Sequence, residues 1–154
     1  MVTRDASQPP GSGLTGRRAF VPLHSPFRWL AALALVGAGA VHVPIIGEHL
    51  EEAPYIGVLF IALTAACGVL AVLIVLWDAI AVWAVAGVVA ALAVVGYVLS
   101  RTVGLPQIGD DKGNWGDPLG VAALITEGLM VLLALWVLRR QLARAQAAGE
   151  PGTA

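Results

Sequence analysis

The sequence predicts an all-α membrane protein, a four-transmembrane-helix bundle with both termini in the cytoplasm. Hydrophobic residues make up 58% of its 154 residues, and charged residues only 12%. A soluble domain usually carries about 25% charged residues, so most of this surface is expected to face lipid. Four apolar segments and an uneven distribution of arginines give the number of spans and their orientation. The lipid bilayer is therefore the first expected partner, and nucleic acid is not expected to be one.

The four apolar segments are each long enough to cross a bilayer. A helix needs about 20 apolar residues to span a hydrocarbon core of roughly 30 Å, and backbone groups in lipid must be satisfied within the helix itself. The predicted spans cover residues 27–46, 55–77, 79–100 and 119–138. Asp78 marks a short turn between the second and third spans, and the other two connections are acidic loops.

The segments before and after the spans are predicted to be tails. Residues 1–26 are basic and contain a stretch rich in Pro, Gly and Ser, a composition typical of disordered segments. Residues 139–154 are expected to form a cytoplasmic C-terminal tail, in which the last helix continues for a turn or two and then frays.

Arginines predict the orientation of the bundle. Seven of them lie before the first span, at its start or after the last span, whereas the two acidic loops contain only Arg101 and Lys112. The positive-inside rule then places both termini in the cytoplasm and the acidic loops outside. Arginine outnumbers lysine eight to one in a chain rich in Ala, Val and Gly, which is typical of GC-rich bacterial genomes. We therefore expect a multi-pass protein of the bacterial cytoplasmic (inner) membrane.

A single cysteine, Cys67, lies in the middle of the second predicted span. One cysteine can form neither an intramolecular disulfide nor a CxxC pair nor a thiolate metal cage, which excludes thiol-redox enzymes. We expect Cys67 to be a small packing residue.

Four polar residues of the predicted spans, and Arg101 directly after the third span, lie on helix faces that also carry small residues. Transmembrane helices pack through small residues, so these faces are expected to point into the bundle. At 1.5 Å per residue, Glu127 and Thr64 lie about 12–13 Å from the outer ends of their helices, and His42 and Tyr97 about 6 Å. With Arg101 at the rim, these residues predict a ligand or proton site in the outer half of the bundle. The inner half is almost purely Ala, Val and Leu, which argues against a simple ion channel.

Glu127 is the strongest candidate for a functional residue. An acidic residue at the centre of a transmembrane helix costs roughly 2.5–3.5 kcal/mol on insertion scales, and such residues mark functional sites by default. We expect Glu127 to meet His42, directly or through Tyr97 or a water molecule, so that the two groups share one proton. The alternative is that Glu127 is a polar clamp between helices, bonded to Thr64 or to backbone groups.

The end of the first span carries the residues of a candidate metal site. Pro44 is expected to kink the helix near His42, because it removes a backbone hydrogen bond. If helical geometry continues beyond the kink, His42, His49 and Glu52 share one stripe, and with Glu48 they offer ligands suited to a divalent transition metal. The sequence requires no cofactor, however. The alternative is that the acidic residues are solvated and His42 is hydrogen-bonded inside the bundle.

Arg101 is predicted to organise the loop before the last span. It ends the polar face of the third span, and Asp110, Asp111 and Asp117 follow in the same loop. We expect Arg101 to pair with one of these or with Glu48, which would close the loop over the pocket. The alternative is that the acidic residues are solvated, since exposed ion pairs contribute only about 0–1 kcal/mol.

Three stretches of the chain resemble a known family. The third loop contains "SRTVGLP" (100–106) and "WGDPLG" (115–120), and "EHLEEAPYIGVLF" (48–60) leads into the second span. Together with Glu127, they resemble a family of small, uncharacterised four-helix membrane proteins of high-GC bacteria, over roughly residues 40–138. The resemblance implies the same topology and implies no activity. It also draws attention to a set of residues, which are His42, Glu48, His49, Pro54, Arg101, Pro106 and Glu127.

Two functions from different classes fit these features. The first is a non-enzymatic binding or accessory module, with an outward-facing His/Glu pocket for a small ligand, metal or proton, or with a role as a subunit of a larger membrane complex. The second is a small proton-coupled transporter, active as a homo-oligomer, that uses Glu127 as the exchanging carboxyl. The apolar cytoplasmic half favours the first. An enzyme ranks third, because the sequence contains no evident pair of nucleophile and base, although an outward-facing set of His, Glu and Tyr could do acid–base work.

Overall fold

All regular secondary structure between residues 21 and 149, the part of the chain that the computed structural model describes, is helical. The helices are α1 (Arg28–His42), α2 (Ile46–Glu52), α3 (Pro54–Leu76), α4 (Ile80–Thr102) and α5 (Pro118–Gly149). Two short 3₁₀ segments, Val43–Ile45 and Gly109–Asp111, precede α2 and α5. With α1 and α2 taken as one span, four helices are long and apolar enough to cross a membrane. The predicted all-α bundle of four spans is therefore confirmed, while the predicted tail residues 1–20 and 150–154 lie outside the described range.

The outward faces of the spans are apolar, as lipid requires. Each span carries at least one leucine that is about two-thirds exposed. The exposed fractions are 69% for Leu33, 70% for Leu76, 65% for Leu92 and 66% for Leu132. Inside, small residues allow the helices to approach closely. A Cβ on Gly87 would lie only 2.7 Å from the Cβ of Ala134. Close backbone approach of this kind drives helix association in lipid, where apolar side chains gain little from burial alone.

The spans form a ring in the order α3, α1, α5, α4. α1 packs against α3 and α5, α4 packs against α5, and the contact between α3 and α4 is the sparsest of the four. We call the two ends of the ring the loop end, which holds the α2–α3 junction and residues 103–117, and the termini end, which holds the α3–α4 turn and the start of α1. The sparse contact between α3 and α4 leaves room for a cavity towards the loop end.

Asp78 fixes the turn between α3 and α4 at the termini end. Its φ of +42° is a left-handed conformation that Asp tolerates better than most residues. Its buried carboxylate accepts hydrogen bonds from the backbone N–H of Ser25 and, at 2.7 Å, from the indole N–H of Trp83. Its carbonyl oxygen accepts another from the N–H of Leu23 at 2.9 Å. The prediction of a disordered tail is therefore wrong for residues 21–26, because a buried carboxylate needs donors and the chain before α1 supplies them.

At Pro44 the α-helix is interrupted by a 3₁₀ segment, and the acidic connection predicted as a loop after it is helical. α1 ends at His42, and after the first 3₁₀ segment the chain resumes as α2. α2 is held against the start of α3, since Leu50 packs so closely onto Gly57 that a Cβ there would lie 2.6 Å from the Leu50 Cγ. The three glutamates of α2 are exposed. This short acidic helix has the composition of a solvated loop, which is why the sequence did not indicate it.

α5 is longer than predicted. It continues to Gly149 instead of fraying a turn or two after Leu138. Residues 139–148 are mainly Arg, Gln, Leu and Ala, which have high helix propensities. The Arg140 guanidinium lies 4.2 Å from the ring centroid of Trp136, a cation–π contact near the start of this extension. Residues 139–149 are therefore a helical continuation of the last span.

Candidate ligand-binding site

A cavity of about 460 Å³ lies towards the loop end, between α1, α3, α4 and α5. Sites for small organic molecules have volumes of this order. Its walls are mostly apolar, and its polar groups lie at the inner end and beneath the loop. The polar lining residues are His42, His49, Tyr97, Ser100, Arg101, Asp111, Asp117 and Glu127.

Glu127 and His42 meet at the inner end of the cavity. The Glu127 Oε1 and His42 Nε2 atoms are 3.8 Å apart, and the two residues are only 1% and 7% exposed. That distance is too long for a hydrogen bond, and no other donor in residues 21–149 reaches Glu127 Oε1. The predicted proximity of the two side chains is confirmed. The Glu127 carboxyl is thus buried with one unsatisfied oxygen.

Hydrogen bonding determines which nitrogen of His42 faces Glu127. Its Nδ1 lies 2.7 Å from the carbonyl oxygen of Ala38. A carbonyl oxygen can only accept, so Nδ1 carries the donated proton and Nε2 of the neutral ring is an acceptor. The imidazole packs against Phe60, with ring centroids 4.8 Å apart. The inner end of the cavity therefore presents an imidazole nitrogen beside a carboxyl oxygen.

Arg101 holds the loop before α5 over the cavity. Its Nη1 lies 2.5 Å from Asp111 Oδ1, and its Nη2 lies 3.8 Å from Asp117 Oδ2. The guanidinium carbon also lies 5.0 Å from the ring centroid of Tyr97. The predicted pairing of Arg101 with loop carboxylates is confirmed, with these two aspartates and not with Glu48, which is exposed on α2.

Further contacts close the loop end of the cavity. The Tyr55 hydroxyl on α3 donates a hydrogen bond to the carbonyl oxygen of Pro106 at 2.7 Å. Leu105 and Ile108 form part of the cavity wall, and Ile108 is buried. The segment 103–117 therefore covers the cavity and is attached to both α3 and α4.

Tyr97 and Thr64, the other two residues predicted for the site, do not make the contacts that were expected of them. Tyr97 lines the cavity, but its hydroxyl donates to the carbonyl oxygen of Trp115 at 3.4 Å and does not bridge the buried His–Glu pair. The assignment of Thr64 to the site is wrong, because Thr64 is not among the lining residues. Its hydroxyl donates to the carbonyl oxygen of Gly39 at 3.4 Å. The absence of a side chain on Gly39 brings α1 close enough for the threonine to bond its backbone.

The predicted metal site does not form. Within residues 21–149, no three His, Cys, Asp or Glu side chains lie close enough together to hold a metal ion. The ring of Phe60 packs against both His42 and His49, and the Nδ1 atom of each histidine is bonded to a backbone carbonyl. Glu48 and Glu52 lie exposed on α2. The four ligands proposed from the sequence therefore do not converge on one point: the two histidines lie against Phe60, and the two glutamates are exposed.

The apolar part of the site was missed by sequence reasoning. Phe60 contacts both histidines, and Leu105 and Ile108 form a roof over the cavity. Gly96 also lines the cavity, and a Cβ there would meet no atom within 4 Å. No sequence pattern distinguishes such residues from lipid-facing ones, because their role depends on which helices are neighbours.

Comparison of the chain with protein-family models, with curated proteins and with solved structures finds no match in any of the three. Functional inference therefore rests on the geometry of the cavity.

Proposed function

We propose that the protein is a non-enzymatic binding module of the bacterial cytoplasmic membrane, in which the cavity holds a small ligand. The observation that carries this proposal is the Glu127 carboxyl. It is 1% exposed, lines the cavity, and has an oxygen without a donor in the part of the chain that the structure describes. An unsatisfied buried polar group costs about 1–3 kcal/mol. A ligand that donates a hydrogen bond to this oxygen offsets that cost when it binds.

The lining residues give little support to an enzyme. Ser100 lines the cavity, but its hydroxyl donates to the carbonyl oxygen of Tyr97 at 2.8 Å and does not contact a histidine. Cys67 is buried outside the lining. Covalent catalysis requires a nucleophile activated by an adjacent base, and the described lining holds no such pair.

A small proton-coupled transporter that uses Glu127 is the second candidate. The buried Glu127–His42 pair favours it, because two titratable groups lie 3.8 Å apart in the cavity. Transport also needs a route to the termini end. There, large side chains fill the interior, and those below 2% exposure include Leu35, Ile74, Trp83 and Met130. Binding without transport is therefore the better fit to the packing of the described residues.

Native mass spectrometry of the protein extracted with its surrounding lipid tests the proposal. We expect one small molecule bound per wild-type chain and none in Gly96→Leu, whose new side chain extends into the cavity without a Cβ clash. Gly68→Leu is the matched control, since Gly68 also faces open space but lies on the exposed side of α3, away from the lining. The proposal is wrong if the wild type retains no molecule or if Gly96→Leu retains it unchanged.

Glu127→Gln and His42→Gln are each expected to weaken binding of the retained molecule roughly 10- to 100-fold, because a hydrogen bond to a charged group contributes about 1.5–3 kcal/mol. The two side chains face one another at 3.8 Å, so the double variant should add little to either single effect. Binding constants from titration of ligand-depleted protein measure this cycle. Thr126→Ser, next to Glu127 and outside the lining, is the control. Additive losses would indicate instead that Glu127 is a clamp between helices.

We also propose that both termini lie in the cytoplasm, a proposal that the arginine distribution supports. In a Cys67→Ala background, an impermeant maleimide added to intact cells should label Glu51→Cys and Lys112→Cys but not Gln146→Cys. All three positions are exposed, so differences in labelling report the side of the membrane and not burial. Labelling of Gln146→Cys alone would reverse the orientation.

A further inference from the structure

The cavity borders the contact between α3 and α4. Two of its wall residues, Leu59 on α3 and Leu92 on α4, are 58% and 65% exposed. The contact between these helices is the sparsest in the ring. At the loop end, by contrast, the segment 103–117 covers the cavity. A ligand therefore reaches the cavity most directly from the bilayer.

The inner end of the cavity selects a head group that donates hydrogen bonds. Glu127 Oε1 is an acceptor without a donor among the described residues. His42 Nε2, 3.8 Å away, is also an acceptor in the neutral ring, because Nδ1 donates to the backbone. The lone pairs of two acceptors that face the same space repel each other. A ligand with N–H or O–H donors between the two atoms can give each of them a hydrogen bond.

The charges of the lining disfavour an anionic head group. Three carboxyl groups, those of Asp111, Asp117 and Glu127, line the cavity together with one guanidinium, that of Arg101. This guanidinium is already paired with both aspartates. The Nε–H of Arg101 has no acceptor among the described residues, but the charge of the guanidinium is already balanced by the two aspartates. A phosphate or carboxylate would therefore add to an excess of carboxyl groups in the described lining, whereas a cationic head group meets Glu127.

We infer that the cavity takes a lipid-soluble amine, whose apolar body lies between α3 and α4 and whose ammonium N–H groups reach Glu127 and His42. This inference rests on the proposed binding function and names the class of its ligand. A primary ammonium group supplies three donors, which is enough for both acceptors. The aromatic ring of Phe60 lines the same cavity, and aromatic rings attract cations through their faces.

Dodecyl probes with different head groups test the parts of this inference separately. Dodecylamine has a cationic head with N–H donors, dodecyltrimethylammonium has the charge without a donor, and dodecanoate is an anion. Each is titrated into the full-length protein in phosphatidylcholine nanodiscs, with empty nanodiscs as a correction for partitioning. We expect saturable binding of dodecylamine, at least about tenfold weaker binding of dodecyltrimethylammonium, and no saturable binding of dodecanoate. Equal binding of all probes, or a preference for either of the other two, overturns the inference.

Glu127→Gln tests the head-group contact within the same assay. It should weaken dodecylamine binding by about tenfold or more and reduce the preference for dodecylamine over dodecyltrimethylammonium. Thr126→Ser should alter neither quantity. An unchanged preference in a folded Glu127→Gln protein contradicts the contact. If that variant does not fold, the comparison of probes on the wild type still decides the ligand class.

Leu92→Trp tests the lateral route. The larger side chain narrows the gap between α3 and α4 and should slow the association of dodecylamine in stopped-flow measurements. Leu132→Trp is matched in exposure, at 66% against 65%, but lies on α5 outside the cavity lining. It should leave the association rate unchanged. Equal rates for the two variants would rule out access between α3 and α4.

The outcomes separate this inference from the proposed function. If the wild type retains a native molecule that Gly96→Leu loses, while dodecylamine does not bind, the amine class is wrong and the binding function stands. If Gly96→Leu affects neither a native molecule nor dodecylamine, the cavity is not a binding site and both proposals fail.

Discussion

Replacing Asp78 with alanine is expected to lower the free energy of unfolding by about 2–5 kcal/mol. The substitution leaves the indole N–H of Trp83, a fully buried residue, and the N–H of Ser25 without their acceptor. It also places alanine at a φ of +42°, where a Cβ without a local hydrogen-bonding group is strained. Both effects weaken the turn that joins α3, α4 and the chain before α1.

Denaturant titration of the purified protein in mixed micelles measures this loss. Asp78→Asn keeps one acceptor and tolerates the left-handed conformation, so it should destabilise less than Asp78→Ala. Asp110→Ala removes an exposed carboxylate from the loop and should change the free energy of unfolding by no more than about 0.5 kcal/mol. Equal losses for Asp78→Ala and Asp110→Ala would show that Asp78 does not hold the turn.

Arg101→Ala is expected to release the segment 103–117 from the cavity at a cost of about 2 kcal/mol. The variant leaves the carboxylates of Asp111 and Asp117 without the guanidinium that holds them together. Their side chains are 31% and 35% exposed, so water screens part of the lost attraction and the cost is smaller than for a fully buried pair. A change of about 2 kcal/mol raises the open population roughly 30-fold.

Hydrogen exchange and protease cleavage within 103–117 report this opening. Lys112→Ala removes an exposed cation from the same segment and should leave both readouts unchanged. Arg101→Lys keeps the charge but cannot contact both aspartates with a planar fork, so it should give an intermediate result. Unchanged exchange in Arg101→Ala would mean that the contact between Tyr55 and Pro106 is sufficient to hold the segment.

The spans were predictable because lipid imposes length and apolarity on every helix that crosses it. α3 and α4 begin and end within two residues of the predicted spans 55–77 and 79–100. The helical segments outside the predicted spans, which are α2 and the end of α5, could not be predicted from length and apolarity. α2 depends on the packing of Leu50 against Gly57, and the extension of α5 depends on intrinsic helix propensity.

The candidate site was predictable only in part. Helix faces and depths brought Glu127 and His42 together correctly, because a buried carboxyl must lie on the interior face. Thr64 carries the same signals, yet it bonds the backbone of Gly39 at a helix crossing. A face pattern gives the direction in which a side chain points but not the neighbour that it meets. The cavity is a consequence of the order of helices in the ring, which no single helix encodes.

The turn at Asp78 also determines how the cavity can change width. α3 and α4 are each 23 residues long, which is about 35 Å at 1.5 Å per residue. They are fastened to each other and to residues 22–25 at one end, and the cavity separates them towards the other. A rotation of about 5° between the two helices at the Asp78 turn displaces their ends at the loop end by about 3 Å. A small rotation at this turn would therefore change the width of the cavity in which we propose that a ligand binds.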